Sequence, residues 1–149
     1  MVDRLHTKWT TKQNYSFKVP EYNGKECELY SRSGKLLARL CPTGMLYVYE
    51  GYSWDGCTPK WLIGGYSVGV WDGRYRGCVY PELFESSMIH DVLCQMICCE
   101  SCNFGYSQKE VDQIFFYYSK KSGFMFPTLY YWGVRGYQNM KRFAKKRRK

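Results

Sequence analysis

His90, Asp91 and Asp112 are the residues whose types and spacing could do chemistry. At 100° per residue, a helix that carries His90 places Leu83, Ser86, Leu93, Cys94 and Ile97 on the same face, so the imidazole is expected to point inward. A following helix that carries Asp112 sets it beside Phe115, Phe116 and Ser119, which puts a carboxylate among apolar groups as well. Two polar groups on the apolar faces of successive helices need partners. The economical arrangement pairs them, with one imidazole nitrogen donating to the Asp112 carboxylate and the other facing a cavity or water. Such a pair orients the ring and raises its basicity, as a general base acting on water requires, and the same pair also serves as a buried structural link.

Asp91 projects about 100° away from His90 and faces either a metal or a turn. Asp55 and Asp72 each stand in a Trp-Asp-Gly triplet and would join Asp91 as metal ligands if the glycine-rich stretch around them folds over the first helix. Asp-Gly is also ordinary turn chemistry. Cys94, Cys98, Cys99 and Cys102 place four thiols within nine residues, but without paired Cys-x-x-Cys knuckles they are expected not to form one tetrahedral metal site. Eight cysteines without an apolar leader at the polar N-terminus favour reduced thiols and argue against conventional secretion.

The formal charge is +9, and seven of the cations, Lys141, Arg142, Lys145, Lys146, Arg147, Arg148 and Lys149, lie in the last nine residues. Residues 1–140 therefore carry only +2, and any electrostatic partner belongs to the C-terminus. Nucleic acid, an acidic protein surface and anionic lipid would all attract this segment, and charge alone does not choose among them.

The elements that must position these groups can be read in outline. Tyr15–Val19 alternates with period two, Glu26–Tyr30 does so loosely, and Leu46–Tyr49 lies between Gly44 and Gly51. These predict a small antiparallel sheet with turns at Ser33-Gly34 and Thr43-Gly44. Residues 51–77 hold seven glycines and three tryptophans and form a long ordered loop or a region of short strands. Helices are expected from Pro81 to about Cys99, from Ser107, which opens a capping box with Glu110, to Gly123, and from Pro127 into the basic tail. Four Gly-Tyr dipeptides share no period, so no repeat is proposed. The expected fold is α+β: a small antiparallel sheet and glycine-rich loop followed by three packed helices, with one globular domain over residues 1–140 and a basic tail over 141–149. With 149 residues and no run of 18 apolar ones, neither a second core nor a membrane span is expected.

Four motifs in order, Trp54-Asp55-Gly56-Cys57-Thr58-Pro59-Lys60-Trp61, Trp71-Asp72-Gly73, His90-Asp91-Val92-Leu93-Cys94 and Lys109-Glu110-Val111-Asp112-Gln113-Ile114-Phe115, are similar to a domain family of unknown function found in tailed phages, bacteria and large DNA viruses. The similarity covers about residues 45–137 and extends to Leu129-Tyr130-Tyr131-Trp132-Gly133-Val134-Arg135, though many members carry Tyr at the position of Cys94. It implies a virion-associated structural or interaction protein of minor capsid or cement type, located in the virion or the host cytoplasm. Its basic tail would anchor it to capsid proteins or nucleic acid, without a cofactor. The His-Asp layout also resembles that of secretory-type phospholipases. That resemblance implies the alternative, a metal-assisted hydrolase in which His90 activates water, Asp112 orients it and calcium sits on Asp91, with Asp55 and Asp72 as further ligands. The phospholipase cysteine framework and calcium loop are not reproduced here.

Overall fold

The computed structural model describes residues 9–20, 22, 24–54, 60–63, 66–69, 75–76, 80–99 and 104–147. Among the described residues ten strands precede three helices: β1 (Trp9–Thr10), β2 (Tyr15–Lys18), β3 (Cys27–Tyr30), β4 (Leu36–Leu40), β5 (Met45–Val48), β6 (Ser53–Trp54), β7 (Lys60–Ile63), β8 (Tyr66–Gly69), β9 (Tyr75–Arg76), β10 (Tyr80–Pro81), α1 (Phe84–Cys98), α2 (Gln108–Lys121) and α3 (Pro127–Arg147). The architecture is α+β, as the patterning predicts.

The main sheet has the antiparallel order β2-β5-β4-β3. Its register sets Phe17 opposite Leu46, Ala38 opposite Val48 and Cys27 opposite Leu40, so one face collects these six side chains' apolar atoms together with Leu29. That face packs on Met88, Ile89, Val92, Leu93 and Met96 of α1 and on Val111, Ile114 and Tyr118 of α2 in one continuous core. At roughly 25 cal/mol per Å² of apolar surface removed from water, this two-layer contact is the main stabilising term of the fold. Gly44 has φ +88°, and a Cβ there would lie 2.9 Å from the Val19 carbonyl oxygen, so the β4–β5 turn requires glycine.

The glycine-rich region contains short strands. β7 pairs with β8, β9 with β10, and β1 returns from the N-terminal side to pair with β6. Pro81, expected at the first position of a helix, lies instead in β10 opposite Tyr75, and α1 begins three residues later behind Leu83. Its fixed φ and missing N–H suit a short edge strand as well as a helix start, and pairing with β9 decides between them.

α2 starts as expected. The Ser107 hydroxyl accepts from the Glu110 N–H, and the Glu110 carboxylate accepts from the Ser107 N–H. It ends in a paired closure in which the Phe124 N–H donates to the Ser119 carbonyl and the Gly123 N–H to that of Lys120, with Gly123 at φ +83°. Phe124 then drops into a second apolar cluster with Leu83 and Phe115.

α3 packs against α2 and does not fade before the basic segment; it continues to Arg147. Lys and Arg are good helix formers, and their charges oppose the negative end of the helix dipole, so the last turns extend rather than fray. Gly133 and Gly136 lie within α3, and a Cβ at either meets nothing within 4 Å. Gly133→Ala and Gly136→Ala are each expected to stabilise the protein by about 0.5–1 kcal/mol, because alanine loses less backbone entropy in a helix. Urea midpoints would measure this, and a loss of stability at either position would mean that the open face is packed in solution.

Candidate functional site

His90 and Asp112 meet, as their helical faces predict. The His90 Nε2 lies 2.7 Å from Asp112 Oδ1. Helical periodicity brings Gln108, one turn before Asp112, to the same oxygen, with its Nε2 donating at 2.9 Å. The other carboxylate oxygen accepts from Arg135 Nη1 at 2.9 Å, so α3 joins the cluster. Asp112 is 0% exposed, and its charge is met by two cationic or potentially cationic groups and a neutral amide. Phe115 packs edge-on against the His90 ring at 5.3 Å between centroids.

The electrostatics follow from this crowding. Burial by itself would lower the His90 pKa, but the hydrogen bond with Asp112, the adjacent Cys94 sulfur and the nearby carboxylate charge outweigh it and raise the value to about 10. Burial would likewise raise Asp112, and the hydrogen bonds from His90, Gln108 and Arg135 hold it below the usual carboxylate value instead. His90 is therefore an imidazolium near neutral pH. An imidazolium has no lone pair with which to take a proton from water.

Cys94 completes the surroundings. Its Sγ lies 3.7 Å from His90 Nε2 and 3.8 Å from Nδ1, nearly equidistant, and accepts from Gln108 Nε2 at 3.2 Å. Equal distances to both ring nitrogens place the sulfur beside the ring rather than in line with one N–H.

Asp91 points away from this cluster, as its position on the helix requires. Its Oδ2 accepts from the Tyr52 hydroxyl at 3.0 Å and from Gln95 Nε2 at 3.3 Å, and Gln95 also donates to Tyr52 at 3.0 Å. Asp91 thus ties α1 to the segment that links β5 to β6. Trp54, from the first Trp-Asp-Gly triplet, is buried and donates through Nε1 to Ser87 Oγ at 3.0 Å. Asp55 and Asp72, assigned with Asp91 to a metal under the hydrolase reading, lie outside the described residues. Among the described residues no group of three or more His, Cys, Asp or Glu side chains is placed to hold a metal ion.

The cysteines need one correction. Cys27 on β3 is disulfide-bonded, where the polar N-terminus favours reduced thiols. Disulfide pairing depends on Cα separation in the fold, which spacing along the chain does not report. Cys41, Cys94, Cys98 and Cys99 are free, and Cys102 lies outside the described residues.

Two members of the cluster are missing from the sequence reading. Gln108 carries the signal of lying four residues before Asp112 on one helix. Arg135 carries another, as the only charged residue between Pro127 and Met140. A separate groove of about 710 Å³ lies between β2 and the ends of α1 and α2, lined by Tyr15, Lys18, Glu82, Glu85 and Tyr118 among others, and it includes none of His90, Asp91, Cys94, Gln108, Asp112 and Arg135.

In the C-terminal segment, Arg142, Lys145, Lys146 and Arg147 are exposed on α3, and Arg148 and Lys149 lie outside the described residues, as does the side chain of Lys141. No helix among the described residues is long and apolar enough to cross a membrane. Compared with protein-family models, curated proteins and solved structures, the chain finds no match.

Proposed function

We propose that this chain is a structural or interaction protein, in which the His90–Asp112 pair holds the helices together and the basic end of α3 is an anchor. The observation that carries this reading is the satisfied Asp112 carboxylate, which is fully buried and accepts from His90 on α1, Gln108 on α2 and Arg135 on α3. A base for hydrolysis needs a neutral ring, and the pKa of about 10 at His90 works against that role. The resemblance to a phage and large-DNA-virus family suggests a virion as the setting, with capsid proteins or nucleic acid at the basic segment. The hydrolase alternative draws on the same His90–Asp112 contact, with Asp91 as a metal ligand.

The anchor role is tested by removing residues 141–149. Arg142 to Arg147 are exposed, so the truncated protein is expected to keep its melting temperature and lose most binding to a DNA duplex or to purified particles. Equal binding by both forms at low salt would reject the anchor. Ester hydrolysis by the intact protein that disappears in a folded His90→Gln variant would put the hydrolase ahead.

A further inference from the structure

The outer face of α3 carries a row of exposed apolar side chains. Leu129, Trp132, Met140 and Phe143 are 63 to 71% exposed. At 100° per residue these four and Gly136 fall within an arc of about 80°, with Gly133 at its border. The face is open at its middle, where neither glycine has an atom within reach of a Cβ. Met125 and Phe126, also exposed, continue the apolar surface just before the helix. On the same wheel the exposed Arg147 falls within the arc and Lys146 about 80° from its centre, whereas the exposed Arg142 and Lys145 lie about 120° and 180° from it; the Arg147 guanidinium is 5.4 Å from the centre of the Phe143 ring.

We propose that this face of α3 lies on an anionic lipid bilayer, with Leu129, Trp132, Met140 and Phe143 entering the headgroup–acyl boundary and Lys146 and Arg147 meeting lipid phosphates and carboxylates. The proposal rests on the anchor reading of the basic segment and names its partner. An amphipathic helix with Trp, Phe and Leu on one side and most of its Lys and Arg on the other has the composition of an interfacial helix. The charge decides among occupants of the apolar row. A DNA duplex would neutralise the cations but leave the row in water, and a second copy of this chain would cover the row but, being basic itself, bring no net counter-charge to the cations. An anionic bilayer satisfies both halves of the helix at once.

The test uses the full-length protein, vesicles of phosphatidylcholine alone or mixed with phosphatidylserine, and a short DNA duplex. Sedimentation with the anionic vesicles and not with the neutral ones is expected. A Trp132→Ser, Phe143→Ser double variant, both sites being exposed, is expected to keep its circular dichroism and lose roughly tenfold or more in vesicle affinity, with duplex binding unchanged. Lys146→Gln with Arg147→Gln is expected to weaken binding to the vesicles. Duplex binding without vesicle binding would overturn the lipid assignment and keep the anchor. Failure to bind vesicles, duplex and particles would overturn both. Equal vesicle binding by the double variant and the parent would also overturn the assignment, as would a dimer that the double variant dissociates in a protein that ignores vesicles.

Discussion

Replacing Asp112 by alanine is expected to destabilise the fold by about 3 kcal/mol, the lower end of the range for removing one partner of a buried ion pair. The reason is what remains. His90 and Arg135 would stand beside one another with no counter-charge, and the Gln108 amide would lose one of its two acceptors. Arg135 is partly exposed and can turn toward water, which keeps the effect from the top of the range. For a chain of this length such a loss lowers the melting temperature by roughly 6–12 °C. Arg135→Met leaves the His90–Asp112 pair in place and is expected to cost less. Urea denaturation of the three proteins would measure both effects. A change below about 0.5 kcal/mol for Asp112→Ala, the size of an ordinary surface substitution, would show that the cluster does not hold the helices together.

The second large effect is a dependence of stability on pH. His90 titrates at about 10 in the folded chain against 6.5 ordinarily, so its contribution is complete below about pH 6.5 and is lost as pH rises through 10. Asp112 has the opposite sign, because its folded pKa lies below the ordinary 3.8: its contribution is present above that value and is lost as pH falls through the lower folded one. The pair therefore predicts maximal stability between about pH 4 and 6.5 and a decline on the alkaline side, on the order of a few kcal/mol by about pH 10. Urea midpoints at about pH 6 and about pH 9.5 should fall in the parent and change much less in His90→Gln. Equal slopes in the two proteins would place the titration elsewhere and would restore a neutral His90 as a possible base.

The same two residues show how much of the site was legible. Helical periodicity turned His90 and Asp112 toward apolar faces, and the cost of burying unpaired polar groups then required that they meet, as they do at 2.7 Å. The pattern stopped at two partners, because Arg135 belongs to a third helix whose rotation about its axis is set by packing against α2. Gln108 was within reach of the same reasoning through its spacing from Asp112. Asp91 was correctly separated from His90, but its partner Tyr52 comes from a segment 39 residues away, and no local spacing could name it.

For the fold, the sequence by itself determined what depends on neighbours within a turn or two. The Ser107–Glu110 capping box, the Gly123 closure, the glycine at the β4–β5 turn and the apolar stripes of α1 and α2 are all short-range features with short-range energies. Only the tertiary structure decided what long-range pairing selects. β4, central in its sheet, was missing from the expected strands because Leu36-Leu37-Ala38-Arg39-Leu40 does not alternate; it is a strand because β3 and β5 hydrogen-bond to its two edges. β1 exists through β6, and Pro81 is a strand residue through β9. The outward rotation of Leu129, Trp132, Met140 and Phe143 belongs to the same class. Their spacing makes an apolar stripe in any helix, and that it faces outward follows from α3 spending its other side on Phe116, Phe124 and Asp112. Loop closure must be repaid by contacts that only the assembled layers supply, so these choices are absent from any window of the chain.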